Sequence, residues 1–248
     1  MDFAGKEKSE YVKDTFNSIA GKYDLMNTLM SLGMDKYWRR KVVKIAQAKP
    51  GMTMLDVCCG TGMLTGELAR AVAPSGEVTG VDFSEEMLNK AQENLNDSPI
   101  KENIKLLPGN ALRLPFKDNS FDGVTVGWGL RNLPDLHQGI REMQRVVKPG
   151  CMVVSIDMGK TFVPVFKQLY WLYFKRVVPL LGRIWAARRI EYHYLYESAS
   201  EFKSQTELVR IFQECGLDNC NYLNLACGAV AIVYGQKKQR RSVNNLST

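Results

Sequence analysis

From residue 52 onward, short apolar runs alternate with amphipathic stretches, and this restricts the fold more than any other feature of the chain. Met52–Val57, Glu77–Val81, Ile104–Leu107, Phe121–Val126 and Met152–Ile156 read as strands bounded by Gly, Asp or Pro. Between them, helices are predicted over Leu64–Val72, from a Ser84 cap to about Asn96, and from about Asp135 to Val147. Lys148–Pro149–Gly150 reads as a turn. Strands alternating with helices imply a parallel sheet wound on both faces. A helix at about Thr206–Cys215, capped by Ser204, precedes two closing strands, Tyr222–Leu225 and Val230–Tyr234, with a turn at Cys227–Gly228.

The flanks of this core differ from it. Val12, Phe16, Ile19 and Tyr23 recur at helical spacing, as do Leu25, Leu29 and Leu32. Gly33 stops that second stretch, and Trp38, Val42, Ile45 and Ala46 mark a third, ended by Pro50–Gly51. Residues 161–190 break the alternation with seven aromatics, six basic residues and no acid. The expected layout is one domain over 1–248: a helical cap (1–50), a core of alternating strands and helices (51–160), a helical insertion (161–203), a closing helix and strands (204–237) and a frayed basic tail (238–248).

Composition excludes several classes. With 45% hydrophobic and 24% charged residues, the chain is neither disordered nor collagenous nor a coiled coil. Cys58, Cys59, Cys151, Cys215, Cys220 and Cys227 contain no CxxC pair, and the start MDFAGKEKSE has no apolar run for a secretory signal. Reduced thiols in a cytoplasmic protein are expected. With only His137 and His193, no metal site is expected. No stretch of about 18 apolar residues occurs. The net charge of +7 permits nucleic acid, a membrane surface or an acidic substrate.

Three loops carry chemistry. Asp56-Val57-Cys58-Cys59-Gly60-Thr61-Gly62 follows the first strand, where glycines let backbone N–H groups and a helix N-terminus approach a ligand. A tight strand-to-helix turn would need the same glycines. No GK[ST] follows, and the full GxGxxG is absent. Asp82 ends the second strand, 20 residues past Gly62, where a carboxylate can accept both hydroxyls of a ribose. Ser84 fills the helix-cap role, which leaves Asp82 free for that purpose. Gly109-Asn110-Ala111 follows the third strand and can read an adenine edge, or serve only as a turn.

Together, Asp56, Gly60-Thr61-Gly62, Asp82 and Asn110 resemble the class I methyltransferases that bind S-adenosylmethionine, which implies a Rossmann-like, seven-stranded, mostly parallel sheet whose last strand is antiparallel. Further segments narrow the likeness: Phe16-Asn17-Ser18-Ile19-Ala20, Tyr23-Asp24-Leu25-Met26-Asn27, Leu114-Pro115-Phe116, Gly129-Leu130-Arg131-Asn132 and Arg145 to Gly150. These are similar to the quinone C-methyltransferases of menaquinone and ubiquinone synthesis, from about Tyr11 to Lys237, and the N-terminal portion is most similar to those acting on demethylmenaquinone. The resemblance implies S-adenosyl-L-methionine as cofactor, with Asp82 on the ribose, Asn110 and Ala111 on adenine, and Asp56, Gly60, Thr61 and Gly62 around the methionine end. It implies a prenylated quinol substrate, demethylmenaquinol favoured over a benzoquinol. It also implies that Arg131 and Asn132 organise a ring oxygen and a proton-carrying water, with Tyr23 closing over them. Without the resemblance, Arg131 reads as an ion-pair partner of Glu142 or Asp135, and Tyr23 equally as a core aromatic. Met63, Gly127-Trp128, Cys151 and Asp157-Met158-Gly159-Lys160 depart from the family pattern.

The basic, aromatic segment 161–190 predicts peripheral contact with an anionic membrane surface, at the inner face of the cell membrane. The alternative is a helical pair covering the substrate pocket with its charges solvated. Nucleic acid is not an expected partner, since no RNA-binding module and no Asn/Asp-Pro-Pro-Tyr motif is present. A homodimer, another small-molecule or RNA methylation, and a cofactor-binding protein without catalysis stay open.

Overall fold

The computed structural model describes residues 12, 14–17, 20–161 and 198–239. Among them one sheet is built from β1 (Thr53–Val57), β2 (Glu77–Asp82), β3 (Ile104–Pro108), β4 (Phe121–Gly127), β5 (Val147–Met158), β6 (Leu217–Leu225) and β7 (Val230–Lys237). Their order is β3-β2-β1-β4-β5-β7-β6. β3, β2, β1, β4 and β5 pair in parallel, and β7 runs antiparallel to both β5 and β6. The chain steps outward from β1 to β2 and β3, then crosses back to β4 on the other side of β1. Such a reversal opens a crevice at the carboxyl ends of the strands, where ligands of open α/β sheets bind.

The helices follow from the same alternation: α1 (Tyr23–Met30), α2 (Asp35–Ile45), α3 (Met63–Val72), α4 (Glu85–Asn96), α5 (Leu136–Val146) and α6 (Gln205–Glu214). Strand side chains alternate between faces, so β1 sends Leu55 and Val57 to one core and Met54 to the other. The first core packs Val124, Val126 and Val153 against Ile140, Met143 and Val146 of α5 and Leu208, Ile211 and Phe212 of α6. The second packs Val78, Val154 and Ile156 against Trp38 and Val42 of α2 and Leu64, Leu68 and Val72 of α3. Each such aliphatic side chain contributes about 1.5–3 kcal/mol relative to exposure. Both cores hold the sheet rigid and leave its carboxyl edge to the loops.

Three sequence expectations are corrected. Lys148–Gly150 does not take the chain out of the sheet. Gly150 has φ +82°, yet β5 runs through it, and the pairing jumps from Phe121↔Val147 to Gly123↔Met152. The turn chemistry makes a bulge inside a strand. β6 begins at Leu217, earlier than its apolar pattern shows, because it is an edge strand with few inward positions and bulges near Asn219 (φ +51°). The Leu25–Leu29–Leu32 stretch does not stay helical up to Gly33: α1 ends at Met30, and Leu25 and Leu32 are exposed. The aromatic stripe and six basic residues expected to meet a membrane fall at 162–190, outside the described residues. Among the described residues, no helix is long and apolar enough to cross a membrane.

At α6, Ser204 Oγ accepts from the Glu207 N–H and the Glu207 carboxylate accepts from the Ser204 N–H. Ser204→Ala is expected to lower stability by about 1 kcal/mol. A urea titration measures this as a lower midpoint with unchanged slope.

Candidate active site

The loop from β1 to α3 turns on three residues with positive φ: Cys58 (+55°), Gly60 (+53°) and Gly62 (+78°). At Gly62 a Cβ would stand 2.8 Å from Leu95 Cδ1 and 3.0 Å from Ala91 Cβ, so glycine is needed for the close approach of α4 as well as for the backbone angle. The Gly60 N–H donates to Asp82 Oδ2 at 2.8 Å, and the Ser84 N–H donates to Asp82 Oδ1 at 3.0 Å. Ser84 does cap α4, accepting from the Met87 N–H at 3.1 Å. Asp82 is thus spared the cap, as expected, and takes up one backbone N–H on each oxygen, which leaves each oxygen a further acceptor site. The residue is only 6% exposed, and a buried carboxylate must find donors. It therefore ties the end of β2 to the glycine loop. Burial raises its pKa, against the opposing pull of those N–H groups.

Asp56 lies deeper. The Thr125 hydroxyl donates to Oδ1 and the Thr65 hydroxyl to Oδ2, each at 2.7 Å. Burial outweighs both and pushes the carboxyl up to about 6.

The N-terminal helices close this edge. The Thr61 hydroxyl donates to Asp24 Oδ1 at 2.6 Å, while Asn94 Nδ2 donates to Asp24 Oδ2 at 2.9 Å and to the Thr61 carbonyl at 3.1 Å. The Ser84 hydroxyl donates to Asn17 Oδ1 at 2.6 Å. Phe16 and Tyr23 stack edge-to-face at 5.9 Å. These contacts bring Val12, Phe16 and Tyr23 over a cleft that Gly60, Asp82, Asn110, Ala111 and Asn132 also line. An adjoining recess takes in Asp56, Thr61, Met63, Asn27 and Arg39.

Arg131 stands behind the cleft wall. It follows β4 in a single 3-10 turn, Leu130–Asn132, and its side chain is 4% exposed. Nη1 donates to Asp157 Oδ1 at 2.6 Å and to the Trp128 carbonyl at 2.9 Å. The expected partners are engaged elsewhere: Glu142 bonds Arg145 and the Leu114 N–H, and Asp135 caps α5 through the Gln138 N–H. Asp157 wins because it lies on the β5 face turned toward Arg131 and is itself buried. Asn132 Nδ2 donates to the Trp128 carbonyl at 3.2 Å. Burial raises the Tyr23 phenol, and the Arg131 charge and a hydrogen bond with Asn27 oppose it, which brings Tyr23, Asn27 and Arg131 into one electrostatic group.

The sequence motifs thus converge on one edge, with qualifications. Asn110 Oδ1 accepts from the Leu112 N–H at 2.8 Å, so its turn role is realised while the residue lines the cleft. Gly62 caps α3 and shapes the loop. Asp157, Asp24, Asn94 and Asn17 were missed as functional positions. Asn17 and Asp24 stood in the segments that narrow the likeness, and Asp157 is an acid closing an apolar strand run, but none showed its partner; Asn94 left no signal. Cys58 and Cys59 are pushed well above the usual thiol range by burial and then by Asp82 and Asp56, which makes them inert packing groups.

The residues fit an adenosyl cofactor. A glycine loop whose Gly60 N–H meets Asp82, a carboxylate at the end of β2 and the Asn110–Ala111 turn all border one cleft, the donor and acceptor set that an adenosine needs.

Comparison with known proteins points the same way. Residues 4–237 match the model of the ubiE/COQ5 methyltransferase family. The chain is 62% identical over 237 residues to a demethylmenaquinone methyltransferase of Desulfitobacterium hafniense (strain Y51), covering 96% of this chain and 94% of that one. It is 44% identical over 234 residues to a demethylmenaquinone methyltransferase of Staphylococcus aureus (strain JH9), covering 94% and 96%. Among solved structures, a SAM-dependent methyltransferase from Aquifex aeolicus matches with TM-score 0.62 and 22% identity over 86% of this chain and 96% of the other. A putative S-adenosyl-L-methionine-dependent methyltransferase from Methanococcus maripaludis matches with TM-score 0.65 and 17% identity over 92% and 95%. The fold is that of the class I methyltransferases.

Asp56 predicts a pH dependence. Its folded pKa is raised, so its contribution to stability is present below the ordinary carboxylate value of 3.8 and is lost as pH rises through about 6. The Asp56→Asn protein without ligand should therefore be more stable than the parent at neutral pH, by at most about 3 kcal/mol, and melt at a higher temperature. The two should converge below pH 4. A cation bound in the recess favours the carboxylate, so S-adenosylmethionine should shrink the difference. Melting curves across this range, with and without cofactor, measure both effects.

Proposed function

The chain belongs to the ubiE/COQ5 methyltransferase family and is an S-adenosylmethionine-dependent methyltransferase, and we propose that it methylates the ring carbon of demethylmenaquinol. The observation that carries the choice of ring is the likeness to two relatives named demethylmenaquinone methyltransferase, over more than nine-tenths of each chain.

Bound S-adenosylmethionine supplies an electrophilic methyl group on a sulfonium. The ring carbon becomes nucleophilic when a neighbouring hydroxyl loses its proton, and once the new C–C bond forms, the ring proton must leave. In this reading Asp82 accepts the ribose hydroxyls, Asn110 and Ala111 meet the adenine, and Asp56, Gly60, Thr61 and Gly62 hold the methionine end. Tyr23 and Asn132 face the quinol oxygen and order the water that carries the proton. Arg131 supplies the positive charge that stabilises the quinolate in a water-poor site. Three features support this assignment: Tyr23 and Asn132 both line the cleft, the Arg131 guanidinium acts electrostatically on Tyr23, and Asp157 fixes the guanidinium. The latches from Asp24 and Asn17 hold the N-terminal helices over the cleft, which favours exclusion of water.

The prenyl tail of such a substrate is membrane-borne. A peripheral contact through 161–190 at the inner face of the cell membrane accords with the basic, aromatic composition of that segment.

The test uses methyl-labelled S-adenosylmethionine with chemically reduced demethylmenaquinone in detergent, and a reduced demethylated benzoquinone in parallel. Label on the naphthoquinol carbon is the expected result. Label on the benzoquinol alone would overturn the choice of ring. Arg131→Met should lower turnover by about 10²–10³-fold with cofactor affinity little changed. Because that change leaves the Asp157 charge buried alone, Arg131→Met with Asp157→Asn is measured beside it. Turnover near the parent's in the folded double variant would remove Arg131 from the mechanism.

A further inference from the structure

The turn between α1 and α2 carries an apolar tip that the fold does not ask for. Leu32 sits there at φ +52°, a backbone region that disfavours a leucine, and its side chain is 75% exposed. Neither the backbone angle nor the core explains the residue. Leu25 of α1, Met34 of the same turn and Tyr37 of α2 are exposed as well. The tip is held firmly from below. The Ser31 hydroxyl donates to Asp35 Oδ1 at 3.1 Å, and Arg39 pairs with Asp35 at 2.5 Å, all three buried.

The charges on the outer face of α2 have one sign. Lys36, Tyr37, Arg40, Lys41 and Lys44 fall at helical spacing on the outer face of α2, and Lys41 Nζ stands 5.1 Å from the centre of the Tyr37 ring. The acid on α2, Asp35, is buried and neutralised by Arg39. Glu67 of α3 reaches Arg40 only at 3.7 Å and Arg70 at 3.1 Å. An apolar tip with aromatic and basic residues around it matches the interface of an anionic bilayer, where leucine and tyrosine enter the headgroup boundary and lysines meet lipid phosphates. The inward sides of the same two helices carry Tyr23, Asn27 and Arg39, which line the cleft and its recess.

We propose that the α1–α2 turn and the outer face of α2 dock on an anionic lipid surface and hold the mouth of the cleft against the membrane. This contact is separate from that assigned to 161–190. Its purpose, delivery of a membrane-borne quinol, rests on the function proposed above, but the docking itself is read without any quinol.

The experiment sediments the full-length protein with phosphatidylcholine vesicles, with and without phosphatidylglycerol. The variants are Leu32→Asp and the pair Lys36→Gln with Lys41→Gln. The parent should bind only the anionic vesicles and release at high salt. Each lysine removed should weaken binding about fivefold, and Leu32→Asp should weaken it at least as much. All variants should methylate a short-chain, water-soluble quinol like the parent and lose turnover on quinol embedded in vesicles. Variants that sediment like the parent would overturn the proposal. So would a Leu32→Asp protein that changes its melting temperature or oligomeric state while binding vesicles normally, since that face would then be covered by protein. A parent that binds vesicles through these residues but methylates no quinol would leave the docking intact and remove the substrate.

Discussion

Three carboxylates lie buried at one edge of a parallel sheet, and much of the site's architecture answers the need to satisfy them. Asp56, Asp82 and Asp157 stand toward the carboxyl ends of β1, β2 and β5. An unpartnered carboxylate there would cost several kcal/mol. Each is met differently. Two threonine hydroxyls answer Asp56, two backbone N–H groups answer Asp82, and a guanidinium with the Met158 N–H answers Asp157. Each solution fixes a neighbouring element: the start of α3, the glycine loop and the turn after β4.

The same logic reaches outward to the N-terminal helices. Asp24 accepts from both Thr61 and Asn94, and Asn17 accepts from Ser84, so polar groups of the cofactor loop and α4 hold α1 and the helical residues before it in place. These latches are hydrogen bonds at a partly solvated seam, each worth about 1 kcal/mol. They can yield without disturbing the two apolar cores, which lie on the faces of the sheet. A rigid sheet with a lightly fastened cover is a reasonable design for a site that must admit a cofactor and then dry itself.

The sheet was legible in sequence because its central strands are apolar on both faces and its helices carry their caps, as Ser84, Asp135 and Ser204 show. Edge strand β6 was half legible, since Asp218 to Asn221 have few inward positions and break the period of two. The glycine loop, Asp82 and Asn110 were legible as a pattern, yet not how much each does for the fold itself. Asp82 braces the loop and Asn110 closes a turn. The partner of Arg131 was illegible because it lies 26 residues away on a different strand. Periodicity places a residue on a face, but it does not reveal which residue on the next element waits there. The exposed Leu25 and Leu32 show the converse limit: helical spacing of leucines marks an apolar stripe without saying what covers it.

The pair Cys58 and Cys59 has a consequence of its own. A thiolate is a far better nucleophile toward an alkyl sulfonium than a ring carbon, and both thiols sit in the loop that borders the cofactor cleft. Burial and the negative potential of Asp82 and Asp56 keep both sulfurs protonated. The carboxylates that shape the loop therefore also hold its two thiols in their less nucleophilic form, and two cysteines can serve there as small packing residues.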